Sequence, residues 1–389
     1  MTNIKDIDKK YVANTYARFD IEIVSGRGST VTDSEGKEYI DLGTGIAVNT
    51  FGICDPEWTA AVTDQLSKFS HTSNLYYSEP CARLAELLCE RTGAGKVFFG
   101  NSGAEANECA IKAARKWASD TKGKAEYNII TLKNSFHGRT VTTLAATGQD
   151  VFHKDFGPFP VGFLYAEANN ADSVRQLIME HPCCAVMMEP VQGEGGVVPL
   201  TREFVTEVAK IAEEHGLLLI FDEVQTGNGR CGTLYAYEQF GVRPDIVTTA
   251  KGLGGGLPIG ACLLFDKVEE TLGAGSHGST FGGNPTAAAG AVNIISRLTD
   301  ETLDGVKARS EYIISELSGA PGIKGITGLG LMLGIETERD VNEVLADCLA
   351  RGVMPIKAKN KLRLLPALNI PMEQLEYAVK IIKEAAANE

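Results

Sequence analysis

The 389-residue chain lacks most of the short signatures that tie a sequence to a chemistry. No two cysteines stand in C-x-x-C spacing, so zinc knuckles and thioredoxin-like redox pairs have no signature. No G-x-x-x-x-G-K-[ST], H-E-x-x-H or G-x-S-x-G occurs, which leaves NTPase, zinc-protease and serine-hydrolase readings without an anchor. The longest apolar runs, such as "LLLIF" at 217–221, are far too short to span a bilayer. The first residues, "MTNIKDIDKKYVANTYARFD", contain acids and no apolar stretch of the secretory or transit type, so a cytoplasmic chain is expected. Positive charge is in deficit as well. A formal net charge of −13 argues against nucleic acid or an anionic membrane surface as a partner. Internal repeats and low-complexity tracts are missing too.

What is present is ordinary in bulk: 44% hydrophobic and 22% charged residues, as in soluble globular proteins. Nine cysteines sit mostly in apolar surroundings, for example Cys183 and Cys184 in "HPCCAVMMEP", and read as reduced core thiols. From about residue 57 to 265, apolar runs alternate with helical patterns. The strand candidates are "KVFFG" (96–100), "YNIITL" (127–132), "AVMMEPV" (185–191), "LLLIFDEV" (217–224), "DIVTTA" (245–250) and "ACLLF" (261–265). Helix-like stretches at 104–117 and 201–214 lie between them; in the first, Ala106, Cys109, Ala110, Ala113 and Trp117 recur on one face. Apolar strands alternating with helices predict an α/β fold with a mainly parallel sheet covered on both faces. Helical patterns at about 285–298, 304–318, 339–350 and 371–387 alternate with "LMLGIE" and "KLRLLPAL". Together with the hairpin-like "STVTDSEGKEYIDLG" they predict a smaller α+β domain. The expected division is an N-terminal segment of that domain at 1–44, a large domain at 45–284, and its C-terminal part at 285–389.

In a parallel sheet, ligands bind beyond the carboxyl ends of the strands. "KVFFG" runs into Asn101-Ser102-Gly103, and "YNIITLK" leads to Phe136-His137-Gly138-Arg139. "AVMME" ends on Glu189, with Glu194 following in "PVQGEGG"; "LLLIF" ends on Asp222, then Glu223 and Gln225; "DIVTTA" ends on Lys251. Taken singly, each has a bland reading. Ser102 with Glu105 fits a capping box, Asp222 a loop acid, Phe136 a packing aromatic, Lys251 a snorkelling lysine. Taken together they fit pyridoxal 5′-phosphate chemistry. Partial burial favours a neutral, nucleophilic Lys251 that can link to the cofactor aldehyde. Ser102, Gly103 and Ala104 at a helix start suit the phosphate. Asp222 would keep the pyridine nitrogen protonated, and Phe136 would cover a ring face. The glycines between 252 and 256 would keep the surroundings open.

The segments "NSGAEANECAIKAARK", "SFHGRT", "EPVQGEGG", "FDEVQTGNGR", "PDIVTTAKGLGGGLPIGA", "GSHGSTFGGNP" and "LRLLPALNI" resemble, in order and spacing, the class III pyridoxal-phosphate aminotransferases over nearly the whole chain. Within that class, "GIAVNTFG", "HTSNLYYSEP" and Arg139 after "FHG" are most similar to the acetylornithine-type enzymes. The resemblance implies fold type I, with a seven-stranded sheet, and a homodimer that shares its active sites. It also implies transfer of the terminal amino group of N2-acetyl-L-ornithine to 2-oxoglutarate. Succinylornithine, ornithine or 4-aminobutyrate as donor, or a non-transaminating reaction on the same cofactor, are the alternatives within the class. By resemblance, Glu223, Val224 and Gln225 join the cofactor site, Gln225 at the ring hydroxyl, and Thr280 reaches the phosphate from the neighbouring subunit. Arg139 and Ser279 face the substrate carboxylate end, and Arg363 binds the α-carboxylate of glutamate, masked by Glu194 when the other substrate is present. Asp55, Asn228 and Cys231 depart from the class pattern and bear on substrate preference; the arginine-bearing "LRLLPAL" is also an unusual version. "GNGRCG" (227–232) matches the dinucleotide fingerprint, but no helix opens after it, and Asp245 stands at the wrong end of its strand for that role.

Overall fold

The computed structural model describes residues 4–388. Its central seven-stranded sheet runs in the order Lys96–Gly100, Gly260–Leu264, Ile246–Thr249, Leu218–Asp222, Cys183–Met188, Asn128–Leu132, Phe163–Ala166. Only Gly260–Leu264 opposes its neighbours; the other strands share one direction. Every residue of the four strands Cys183–Met188, Leu218–Asp222, Ile246–Thr249 and Gly260–Leu264 is buried. Successive side chains point to opposite faces, so such strands need apolar cover on both. Val186, Met188, Leu219, Phe221 and Val247 accordingly pack into one core, while Ala185, Met187, Leu218, Ile220 and Ile246 pack into a second. The helix Gly103–Thr121 covers the second core with Cys109, Ala110 and Ala113, residues of the face its periodicity marks.

The expected strands are all found, Lys96–Gly100 with the expected ends and the others with shifted ones. The 185–191 run breaks after Met188; Val191–Gln192 pairs with Val198–Pro199 in a separate ribbon. Pro190 lacks the N–H a central strand would need to continue. The C-terminal helices are Pro285–Ser296, Asp300–Leu317, Val341–Ala350 and Met372–Ala387. A four-stranded antiparallel sheet orders Ile323–Leu329, Met332–Thr337, Lys361–Leu364 and Ile356–Ala358. The hairpin Thr30–Asp33 with Glu38–Asp41 adds Val353–Met354 in parallel, so the two ends of the chain meet in one sheet.

A strap over residues 42–58 joins these parts. Leu365 N donates to Leu42 O at 2.7 Å and Thr44 Oγ1 to Leu365 O at 2.6 Å. Farther on, Thr50 Oγ1 donates to Gly252 O at 2.7 Å and Trp58 Nε1 to Gly254 O at 3.0 Å. Between them Thr44, Gly45, Ile46 and Ala47 all have positive φ (48°, 64°, 65° and 60°). A left-handed turn is unfavourable for residues with a Cβ, and the bonds on either side hold it.

Asp55 anchors the strap. It caps the helix Pro56–Lys68 through Trp58 N at 2.9 Å and takes both Arg297 nitrogens, Nη1 at 2.5 Å and Nη2 at 3.0 Å. Asp55 is therefore a structural brace and does not line the candidate site described below. Burial pushes its carboxyl up, but Arg297 and the Trp58 amide outweigh that, so its pKa lies below the ordinary 3.8. Such a group stabilises above the unfolded value and loses that contribution as pH falls through the folded one. Asp55→Ala should cost roughly 2–3 kcal/mol in urea unfolding at neutral pH, the sum of a lost cap and a stranded guanidinium. The gap from the parent should close in acid below the aspartate range; a gap that persists there would contradict the ion-pair account.

Candidate active site

A cavity of about 610 Å³ opens at the carboxyl edge of the sheet. Lys251 reaches it one residue past the strand Ile246–Thr249, after Ala250, at the first position of a short 3₁₀ turn, with φ 47°. Its Nζ has no hydrogen-bond or ion-pair partner among the described residues. Burial lowers its pKa below the ordinary 10.5; Glu194 opposes that shift, and Arg363 adds to it. The amine thus leans towards its neutral, nucleophilic form. The glycines behind it serve a purpose other than the expected clearing of space. A Cβ on Gly254 would lie 1.9 Å from Leu257 O, and one on Gly255 (φ 61°) 2.8 Å from Trp58 Nε1. They let the turn fold back tightly on itself and on the strap. Of the glycines from 252 to 256, only Gly256 lines the cavity.

Opposite, the helix Gly103–Thr121 begins at Ser102, whose Oγ accepts from Glu105 N at 3.2 Å. The reciprocal arm of the expected capping box is displaced: the Glu105 carboxylate accepts from Asn101 N. At a helix start the first amides have no acceptor within the helix, and those of Gly103 and Ala104 have none elsewhere among the described residues. Gly103 also permits a close approach, since a Cβ there would fall 2.6 Å from Val224 Cγ1. Ser102, Gly103, Ala104 and Val224 all line the cavity.

Asp222, 3% exposed, ends its strand inside the cavity wall. Its Oδ2 accepts from Asn107 Nδ2 at 2.7 Å and lies 2.8 Å from His137 Nδ1, while Oδ1 accepts from Val224 N at 3.0 Å. Burial alone would lower the His137 pKa, but Asp222 outweighs it and raises the ring above 6.5. Phe136 forms another part of the wall, and the exposed Arg139 lies over it, with its guanidinium carbon 5.4 Å from that ring and 4.2 Å from Phe152.

Gln225 connects this cavity to a second group. Arg363, 2% exposed, donates through Nη1 to Glu194 Oε1 at 2.7 Å and to Gln225 Oε1 at 3.1 Å. Burial pushes the Glu194 carboxyl up, yet Arg363 overrides it and holds it low. Neither Glu194 nor Arg363 lines the cavity itself; both stand behind Gln225. Ser279 is one step removed as well, its Oγ 3.1 Å from Nδ2 of the cavity residue Asn101, and Thr280 is exposed outside the cavity of its own chain. The Glu223 side chain is not brought to the site. Its carboxylate is fully buried against Thr226 Oγ1 at 2.5 Å and Tyr237 N at 2.7 Å. Asn228 and Cys231 are also outside the cavity; Asn228 Nδ2 instead holds Thr249 Oγ1 (2.9 Å) and Ala250 O (3.1 Å), the two residues before Lys251.

The family model for aminotransferase class III matches residues 11–386. The chain belongs to the class III aminotransferases. It is 49% identical, over 98% of both chains, to the acetylornithine aminotransferase of Haemophilus ducreyi. Among solved structures it is similar to the N-acetylornithine aminotransferase of Stenotrophomonas maltophilia, with 36% identity, a TM-score of 0.85 and 98% coverage of both chains. It is also similar to the ornithine aminotransferase of Toxoplasma gondii, with 31% identity, a TM-score of 0.94, and coverage of 99% of this chain and 94% of that one; that protein carries PLP at partial occupancy in its active site.

In this aminotransferase, the cavity residue Asn107 was not singled out from sequence, and His137 and Glu189 stood among the polar residues after strand candidates without being given a role. Glu189 directly follows the strand Cys183–Met188, and His137 lies in the loop five residues beyond Leu132. Asn107 is a lone polar residue on a buried alanine-rich helix face, oriented by Thr248 Oγ1 on its Oδ1 at 2.6 Å, and only the fold shows its target. Tyr16, from the N-terminal segment, also lines the cavity. The depressed Lys251 pKa is testable by competitive acylation with peptide mass readout. Lys251 in ligand-free protein should react with a midpoint below that of exposed lysines; an unshifted midpoint would contradict the desolvated amine.

Proposed function

We propose that this aminotransferase moves the terminal amino group of N2-acetyl-L-ornithine to 2-oxoglutarate, giving N-acetyl-L-glutamate 5-semialdehyde and L-glutamate, with pyridoxal 5′-phosphate as its cofactor. The residues present fit that cofactor. Two unpaired helix-start amides at Gly103 and Ala104 offer an anion socket beside Ser102. The Asp222 carboxylate, oriented by three donors, suits a protonated pyridine nitrogen. Phe136 and Val224 would bound the ring, Gln225 would meet its hydroxyl, and the unpartnered Lys251 amine would meet the aldehyde. When bound, pyridoxal phosphate supplies a carbonyl that carries the amino group between substrates and an electron-withdrawing ring that stabilises charge on the substrate carbon.

The chain's own groups do the remainder. Lys251 Nζ would act as a general base, taking the proton from the amine-bearing substrate carbon, and then as a general acid, delivering it to the cofactor's aldehyde carbon. Asp222 would hold a proton at the ring nitrogen. The observation that carries the two-substrate reading is the Arg363–Glu194 pair behind Gln225. A buried arginine fork selects an α-carboxylate, and a movable carboxylate masks it when the substrate presents a terminal amine instead. Arg139, with Ser279 nearby, would then hold the carboxylate of the acetylated donor. The 49% identity to an acetylornithine aminotransferase, against 31% to an ornithine aminotransferase, favours the acetylated donor.

A second copy of the chain would complete the site. Leu75, Tyr76, Tyr77 and Phe281 are exposed, and Asn74 Nδ2 binds Ser279 O and Gly282 O, so this apolar surface adjoins the loop of Thr280. A homodimer covering it would bring Thr280 to the partner's phosphate site. The nine free cysteines suit the reducing cytoplasm.

Lys251→Ala should retain the fold by circular dichroism and lose turnover; near-normal rates would sink the mechanism. Arg139→Ala should raise KM for acetylornithine by about tenfold or more, the loss of a charge-assisted contact. An unchanged KM would assign that carboxylate to another residue.

A further inference from the structure

We propose that Glu189 is a positioning residue that ties the Phe136 loop to the Glu194 loop and so sets the balance between the two substrates, an inference that rests on the two-substrate reading of Arg363 and Glu194. Glu189 is the first residue beyond the strand Cys183–Met188, is 6% exposed, and lines the cavity. Its Oε1 accepts from Phe136 N at 2.8 Å and its Oε2 from Gly193 N at 3.3 Å. No lysine or arginine pairs with it among the described residues. A buried carboxyl without an ion pair is costly, and its only return here is the link between two backbone segments.

Both segments carry charged groups to which the proposed function gives a role in substrate binding. Phe136 leads to Arg139, whose guanidinium lies over the Phe136 ring. Gly193 leads to Glu194, and Gly193 itself has no room for a side chain: a Cβ would sit 2.6 Å from Gln225 Nε2. Gln225 in turn accepts from Arg363. Glu189 therefore reaches the donor side through one oxygen and the masking side through the other. For Arg363 to receive a carboxylate, Glu194 must withdraw, and the bond at 3.3 Å is the weaker of the two and the one that yields. Burial, with Asp222 adding and His137 opposing, pushes the Glu189 carboxyl up to about 7. The charged groups facing it are Asp222, His137 and Lys251. Protonation removes one acceptor and loosens the tie, so preference for the acetylated donor should fall as pH drops below about 7.

The test is single-turnover kinetics of the holoenzyme with acetylornithine and, separately, with glutamate. Glu189→Gln keeps an oxygen for Phe136 N but sets an amide NH₂ against Gly193 N. It should lower kcat/KM for acetylornithine about tenfold relative to glutamate, the effect of one lost hydrogen bond and one opposed donor. Equal losses on both substrates would overturn the proposal. In the unmodified protein the ratio of the two rates should shift between about pH 6 and 8, and in Glu189→Gln it should be flat. A flat ratio in the unmodified protein overturns the proposal without any variant, should Glu189→Gln fail to fold. A protein that converts neither substrate would instead sink the aminotransferase reading on which the proposal stands.

Discussion

Three donors converge on the Asp222 carboxylate, and the geometry of the cavity follows from that convergence. Asn107 comes from the helix that supplies the Gly103 and Ala104 amides, His137 from the loop that supplies Phe136, and the Val224 amide from the wall opposite Gly103. Asn107 is itself bound at both ends, to Thr248 Oγ1 and to His137 O. A buried charge tolerates no loose partner. Satisfying Asp222 therefore fixes the helix-start amides, the Phe136 wall and the carboxylate relative to one another.

Lys251 is held from the other side. Its strand pairs with that of Asp222, with Thr248 opposite Asp222 in register, so amine and acid leave adjacent strands at the same edge. Asn228 grips the two residues before it, and Thr50 and Trp58 grip the turn behind it. The strap that makes those contacts also holds Leu365, two residues beyond Arg363. Unfavourable backbone at Lys251 and at Thr44–Ala47 is concentrated where three segments must keep fixed spacing, a common location for stored strain.

Much of this was legible in the sequence because the central strands are buried on both faces and so read as unbroken apolar runs. Their polar terminators could then be assigned to one edge. The strand Phe163–Ala166 was not legible, being a four-residue sheet edge that only partly buries its side chains. Glu223 shows a different limit. It follows Asp222 directly, and consecutive residues on an extended chain point to opposite sides, so Asp222 faces the cavity while Glu223 caps a 3₁₀ turn. The glycines after Lys251 were misread because a missing side chain looks alike whether it leaves space or lets backbone fill it. Asp55, a departure by resemblance, proved to be a helix cap paired with Arg297, a contact across 242 positions that no local pattern reveals.

The central claim is that the Lys251 amine, set across from Asp222, holds pyridoxal phosphate through a reversible carbon–nitrogen bond. Borohydride reduction of the protein loaded with pyridoxal phosphate, followed by peptide mass mapping, tests it most directly. The account predicts loss of the yellow colour and a single pyridoxyl mass increment on the peptide containing Lys251. An increment on another lysine, or none, would contradict it.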